Sequence, residues 1–105
     1  MKLSELIKTE EIKIPETDLV ITVKTELSWV EELEARKIED PVEKGKYMLE
    51  NIIIEWNIKD DDGKNLPVSA EALSKLPASI MFPISDRVQE LVRSRHEKKK
   101  TSQNN

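Results

Sequence analysis

The chain has 105 residues, the size of one ordinary domain, with 37% hydrophobic residues, 36% charged residues and a net charge of −4. It contains no cysteine, which excludes disulfides, thiolate nucleophiles and thiolate metal sites together and points to a cytoplasmic setting. The opening Met1-Lys2-Leu3-Ser4-Glu5 lacks the apolar core of an export signal, and apolar runs such as Ile52-Ile53-Ile54 fall far short of the ~20 residues that cross a bilayer, so no membrane partner is expected.

Leu3, Leu6 and Ile7 fit either one turn of helix, with Ser4 available as a cap, or an extended arm. Glu11-Ile12-Lys13-Ile14 alternates polar and apolar, Pro15-Glu16-Thr17-Asp18 interrupts, and Leu19-Val20-Ile21-Thr22-Val23-Lys24 resumes with β-branched residues. This predicts a β-hairpin with Ile12, Ile14, Leu19, Ile21 and Val23 on one face. A lone hairpin is marginal in water, so that face must pack on the helices that follow.

Ser28-Trp29-Val30-Glu31 has the form of a capping box and predicts a helix ending near Glu39, with Val30, Leu33 and Ile38 as its apolar stripe. Asp40-Pro41-Val42-Glu43 starts a second helix, with Asp at the N-cap and Pro at N1, where its missing N–H costs nothing. Leu49, Ile52, Ile53 and Trp56 follow at helical spacing and predict the core helix, in which Gly45 reads as a tolerated glycine. Asp60-Asp61-Asp62-Gly63-Lys64-Asn65 reads as a polar turn, and Ser69 caps a short helix over 70–76. Ile80, Ile84, Val88 and Leu91 then recur at steps of four and three, a helical stripe that Pro83 is expected to kink or restart.

After Val92 no apolar residue appears. Residues 93–105 hold five basic residues against one acid, so the remainder is strongly acidic and general nucleic-acid binding is not expected. The expected architecture is α+β: a single domain over 1–92, built as an N-terminal hairpin on about four helical segments, and a disordered basic tail over 93–105.

No catalytic, cofactor or metal constellation emerges. Placing Gly63 at the sixth position of an EF-hand puts Ile58 first and Ser69 where the bidentate Glu belongs, so calcium is not expected. His96 is the sole histidine, in a charged terminal segment without a second ligand, and reads as a surface residue. Two glycines cannot build a phosphate-cradling loop, and paired acids such as Glu10-Glu11 and Glu31-Glu32 read as solvated faces. The expectation is a non-enzymatic protein that works by binding protein. The candidate contact residues are Ile80, Ile84, Val88 and Leu91, a stripe that serves either a partner or the domain's own core. Trp29 is the fifth candidate, either covering the hairpin as core, the favoured reading, or standing out as a contact.

Four stretches carry a resemblance to a known family: Leu3-Ser4-Glu5-Leu6-Ile7; Val23-Lys24-Thr25-Glu26-Leu27-Ser28-Trp29-Val30-Glu31; Ile54-Glu55-Trp56-Asn57-Ile58-Lys59 running through Asp60-Asp61-Asp62-Gly63 to Ser69; and Leu73-Ser74-Lys75-Leu76-Pro77. Together the chain resembles the tail assembly chaperones of long-tailed bacteriophages. The resemblance implies a non-catalytic protein of the host cytoplasm that binds the tape measure protein, recruits tail tube protein and leaves before the tail is complete, with self-association into a homo-oligomer also open. It also implies a longer product made by a −1 ribosomal slip, for which codons of Lys98-Lys99-Lys100 would supply an A-rich site. The alternatives are a solubilising role for that tail, and a minor tail or head-tail joining protein retained in the virion.

Overall fold

Two strands, β1 (Thr9–Lys13) and β2 (Val20–Lys24), form the expected hairpin, antiparallel with Ile12 opposite Ile21 and Glu10 opposite Val23. These belong to a computed structural model that describes residues 1–104, with side chains described through Ser94. The link has Pro followed by a residue of positive φ, Glu16 at 65°, the order favoured by a type II turn. Both the amide and the hydroxyl of Thr17 donate to the Ile14 carbonyl, at 3.3 and 2.8 Å, and hold this conformation closed.

A third strand, absent from the sequence expectation, completes the sheet. The helix begun at Asp40 stops at Ile52, and β3 (Ile53–Trp56) pairs antiparallel with β2 in the order β1-β2-β3. Trp56 faces Ile21, Glu55 faces Thr22 and Ile53 faces Val23, so Ile54 is the extra residue of a β-bulge. The bulge explains the misreading. Side chains two apart share a face in a regular strand, but one inserted residue puts Ile53 and Trp56, three apart, on the same buried face. Three is also a helical step. The Asn57 side chain then ties β3 to the hairpin, accepting from the Val20 amide and donating to the Asp18 carbonyl, both at 2.8 Å.

The helices, in chain order, are α1 (Leu3–Leu6), α2 (Trp29–Lys37), α3 (Pro41–Ile52), α4 (Ala70–Lys75) and α5 (Ala78–Asn104). The fold is α+β, with the N-terminal hairpin extended to a three-stranded sheet. The Asp40 carboxylate caps α3 by accepting from the Val42 amide at 2.8 Å, and the Ser69 hydroxyl caps α4 by accepting from Ala72 at 3.1 Å, as the sequence predicts. Ser4 caps nothing; Lys2 occupies the N-cap of α1 and makes no side-chain bond there.

Of the kink or restart expected at Pro83, the restart does not occur: α5 runs through it without interruption. Its missing N–H would have served the Ser79 carbonyl, one turn from the helix start, so a single bond is lost near an end. The tail expected to be disordered over 93–105, with His96 and Lys98 to Lys100, lies outside the described side chains except for Arg93 and Ser94.

The core lies between the sheet and the helices. The inner sheet face contributes Ile12, Ile21, Val23, Ile53 and Trp56, with Ile14 beside them, and Ile52, Ala72, Ile84 and Val88 close it from α3, α4 and α5. An ion pair fastens its edge: Arg87 of α5 grips both carboxylate oxygens of Glu10 on β1, at 2.6 and 2.7 Å, and reaches Glu90 at 2.8 Å. The Arg87 bonds, helped by its charge, hold the Glu10 carboxyl below its ordinary value against the opposing effect of burial. Gly45 is a tolerated glycine in space as well as in sequence, since a Cβ there would meet nothing within 4 Å. Gly45→Ala is expected to raise stability by about 0.5–1 kcal/mol, measured by urea unfolding.

Candidate functional site

The five sequence-predicted contact residues divide sharply. Ile84 is wholly buried and Val88 nearly so, while Ile80 and Leu91 pack against the same cluster. The stripe on α5 therefore packs into the domain's own core, with Ile80 and Leu91 only partly buried. Trp29 goes the other way. Its favoured placement as core is overturned: the side chain is 77% exposed at the first position of α2.

The reason is the capping box immediately before it. The Ser28 hydroxyl accepts from the Glu31 amide at 3.2 Å, and Glu31 Oε1 accepts from the Ser28 amide at 2.9 Å. The same carboxylate oxygen takes a 2.7 Å bond from Lys24 Nζ, with both side chains about one-fifth exposed, so the helix start is pinned to the end of β2. Glu31 and Ala35 consequently face inward, and at 100° per residue Trp29 and Leu33 must face out. Val30, expected to be apolar packing, is also exposed.

Beside Trp29 lies a cleft of about 380 Å³, bounded by Thr25 to Ser28 of the β2–α2 loop, by Trp29, Glu32 and Arg36 on α2, by Met48 and Ile52 on α3, and by Val92 on α5. A smaller recess of about 100 Å³ adjoins it across Leu27 and is lined by Leu6, Ile7 and Lys8 of the N-terminal arm. Leu6 and Ile7 are exposed there, as is Leu3 earlier on the arm. The result is a cleft of mixed lining, apolar at Leu27, Met48, Ile52 and Val92 and polar at Thr25, Glu26, Ser28, Glu32 and Arg36, with an aromatic at its lip.

Electrostatics fix the entrance. Burial pushes the Glu31 carboxyl up, but bonds from Lys24 and from the Ser28 amide and hydroxyl, together with the Lys24 charge, outweigh it, and the net position lies below the ordinary value of 4.5. A depressed carboxylate stabilises the fold fully above its unfolded pKa, and that stability is lost as pH falls through the folded value. The melting temperature should therefore drop as pH is lowered below about 4.5. Glu31→Gln, which keeps an acceptor for Ser28 but no charge for Lys24, should melt lower than the native chain at neutral pH and show a shallower acid limb.

Sequence reasoning missed Leu27, Met48 and Val92 as neighbours of Trp29, because they come from three separate elements with no shared spacing. The available signal was the capping box, whose geometry dictates which way the next residue points. The polar turn reading holds for Asp60 to Gly63: Asp60 Oδ1 accepts from the Asp62 and Lys64 amides at 2.9 and 3.0 Å, and Gly63 has φ of 81°. Among the described residues no group of three or more His, Cys, Asp or Glu gathers in a metal-holding arrangement, and no helix is long and apolar enough to cross a membrane. Comparison of the chain with protein-family models, with curated proteins and with solved structures found no match.

Proposed function

We propose that this chain is a non-enzymatic assembly chaperone of long-tailed bacteriophages, acting in the host cytoplasm on protein clients: the tape measure protein, and the tail tube subunits brought to it. The observation that carries this reading is the exposed Trp29 at the lip of a cleft walled in part by Leu27, Met48, Ile52 and Val92, on a chain in which the order of motifs over most of residues 3–92 resembles that family. A protein that must hold and release long apolar helices needs an accessible aromatic anchor on a highly charged, self-soluble body, and large aromatics set into well-packed recesses dominate the energetics of such contacts. The acidic body also disfavours nucleic acid as the client.

The direct test is co-expression with the proposed client, a tape measure protein. The client should remain in the soluble fraction with the native chain and precipitate with Trp29→Ala, while the chain itself is absent by mass spectrometry from finished particles. Retention of the chain in purified virions, in stoichiometric amount, would make it a structural tail protein instead.

A further inference from the structure

We propose that the N-terminal arm is the second jaw of the Trp29 site. A client helix lies across Leu27, with one apolar side chain in the cleft beside Trp29 and the next, one turn along, in the recess at Leu6 and Ile7. This rests on the reading that the chain binds helical protein clients, and it adds which further residues grip them and what pattern the gripped segment carries.

The cleft and the recess form one groove divided by a ridge. Glu26, Leu27 and Ser28 line both, so the β2–α2 loop is their common wall. Leu27 is the apolar member of that wall and is half-buried against the core, which fixes it in place. A ligand that fills both recesses must carry two apolar groups separated by the width of one side chain. Side chains at i and i+4 of a helix stand about 5–6 Å apart on one face and leave between them a groove that accepts such a ridge. The cleft measures about 380 Å³ and the recess about 100 Å³, so the bulkier of the two side chains belongs beside Trp29.

The arm is anchored only at its root. The Thr25 amide donates to the Lys8 carbonyl at 2.9 Å, where the loop that forms the ridge begins. Above that bond, α1 is a four-residue turn with no buried residue and no side-chain bond at its N-cap, far short of the ~12–15 residues at which a helix stands alone in water. Leu6 and Ile7 therefore stay beside the recess and present apolar surface that the domain leaves exposed. Charge sets the flanks of the occupant. Lys8 borders the recess and Glu32 and Arg36 border the cleft, and none of the three has an ion-pair partner among the described residues. The occupant is an amphipathic helix that carries an acid beside its apolar stripe at the arm end.

The test is fluorescence polarisation with a labelled helical fragment of a tape measure protein, chosen for an apolar i, i+4 pair beside an acid, read together with hydrogen exchange of the full chain. The native chain should bind it, and the amides of residues 3–7 should then gain at least about tenfold protection. Leu6→Ser combined with Ile7→Ser should weaken binding at least about fivefold with an unchanged circular dichroism melt. Lys8→Glu should weaken it about threefold at low ionic strength and leave it unchanged at about 1 M salt. A proline placed within the apolar pair of the fragment should abolish binding. Weakening by Trp29→Ala but not by the arm variants, with the arm amides unprotected, would overturn the second jaw and leave the Trp29 reading standing. No binding by the native chain would overturn both. Arm variants that bind more tightly would make the arm a cover over the site, and a proline-bearing fragment that binds equally well would make the occupant an extended segment; either result overturns the proposal.

Discussion

Val88→Asp is expected to leave the chain unfolded at 25 °C, and Ile84→Ala to lower its stability by about 2–5 kcal/mol. Both side chains lie in the contact between α5 and the sheet, Ile84 with no exposed surface at all. An aspartate at 88 would place a carboxylate among Ile, Val and Trp side chains, where it must either stay charged without a partner or take up a proton. Against a total stability of roughly 5–15 kcal/mol, either route removes most of the margin. Far-UV circular dichroism and urea titration read both effects. A native-like Val88→Asp spectrum would mean that α5 is not part of the core and would return its stripe to the candidates for partner binding.

Trp56→Ala is expected to cost about 3–5 kcal/mol, the second large effect. Trp56 fills the inner face of the sheet at β3, opposite Ile21, and its indole Nε1 donates to the Leu66 carbonyl at 2.6 Å. That bond holds the 57–66 loop against the strand it leaves. Trp56→Phe separates the contributions: it keeps an aromatic ring in the core but strands the Leu66 carbonyl, and should cost about 1–3 kcal/mol. A Phe variant as unstable as the Ala variant would place the energy in the bond rather than the ring.

The local rules of the chain were legible because they are chemical and short-ranged. Ser28 with Glu31, Asp40 with Pro41, and Ser69 each announce a helix start, and each is found capping one. Alternation in 11–14 and 19–24 announces the hairpin. What stayed hidden depends on inserted or distant residues. The bulge at Ile54 disguised a strand as helix, and a restart at Pro83 was one of two expectations although its lost bond lies near a helix end and the helix runs on. Trp29 was misplaced because a large aromatic beside a cap suggests burial, whereas the Lys24–Glu31 pair turns the opposite face of α2 inward. The cleft could not be read at all, since its walls meet only after the sheet and helices have packed.

The central proposal is that this protein works by contact through the Trp29 face. Fluorescence-polarisation titration of a labelled helical fragment of a tape measure protein, the proposed client, tests it most directly. The account predicts micromolar binding that weakens at least about tenfold in Trp29→Ala while the melting temperature is unchanged. Equal affinity of the native and Trp29→Ala chains, or no binding by either, would contradict it.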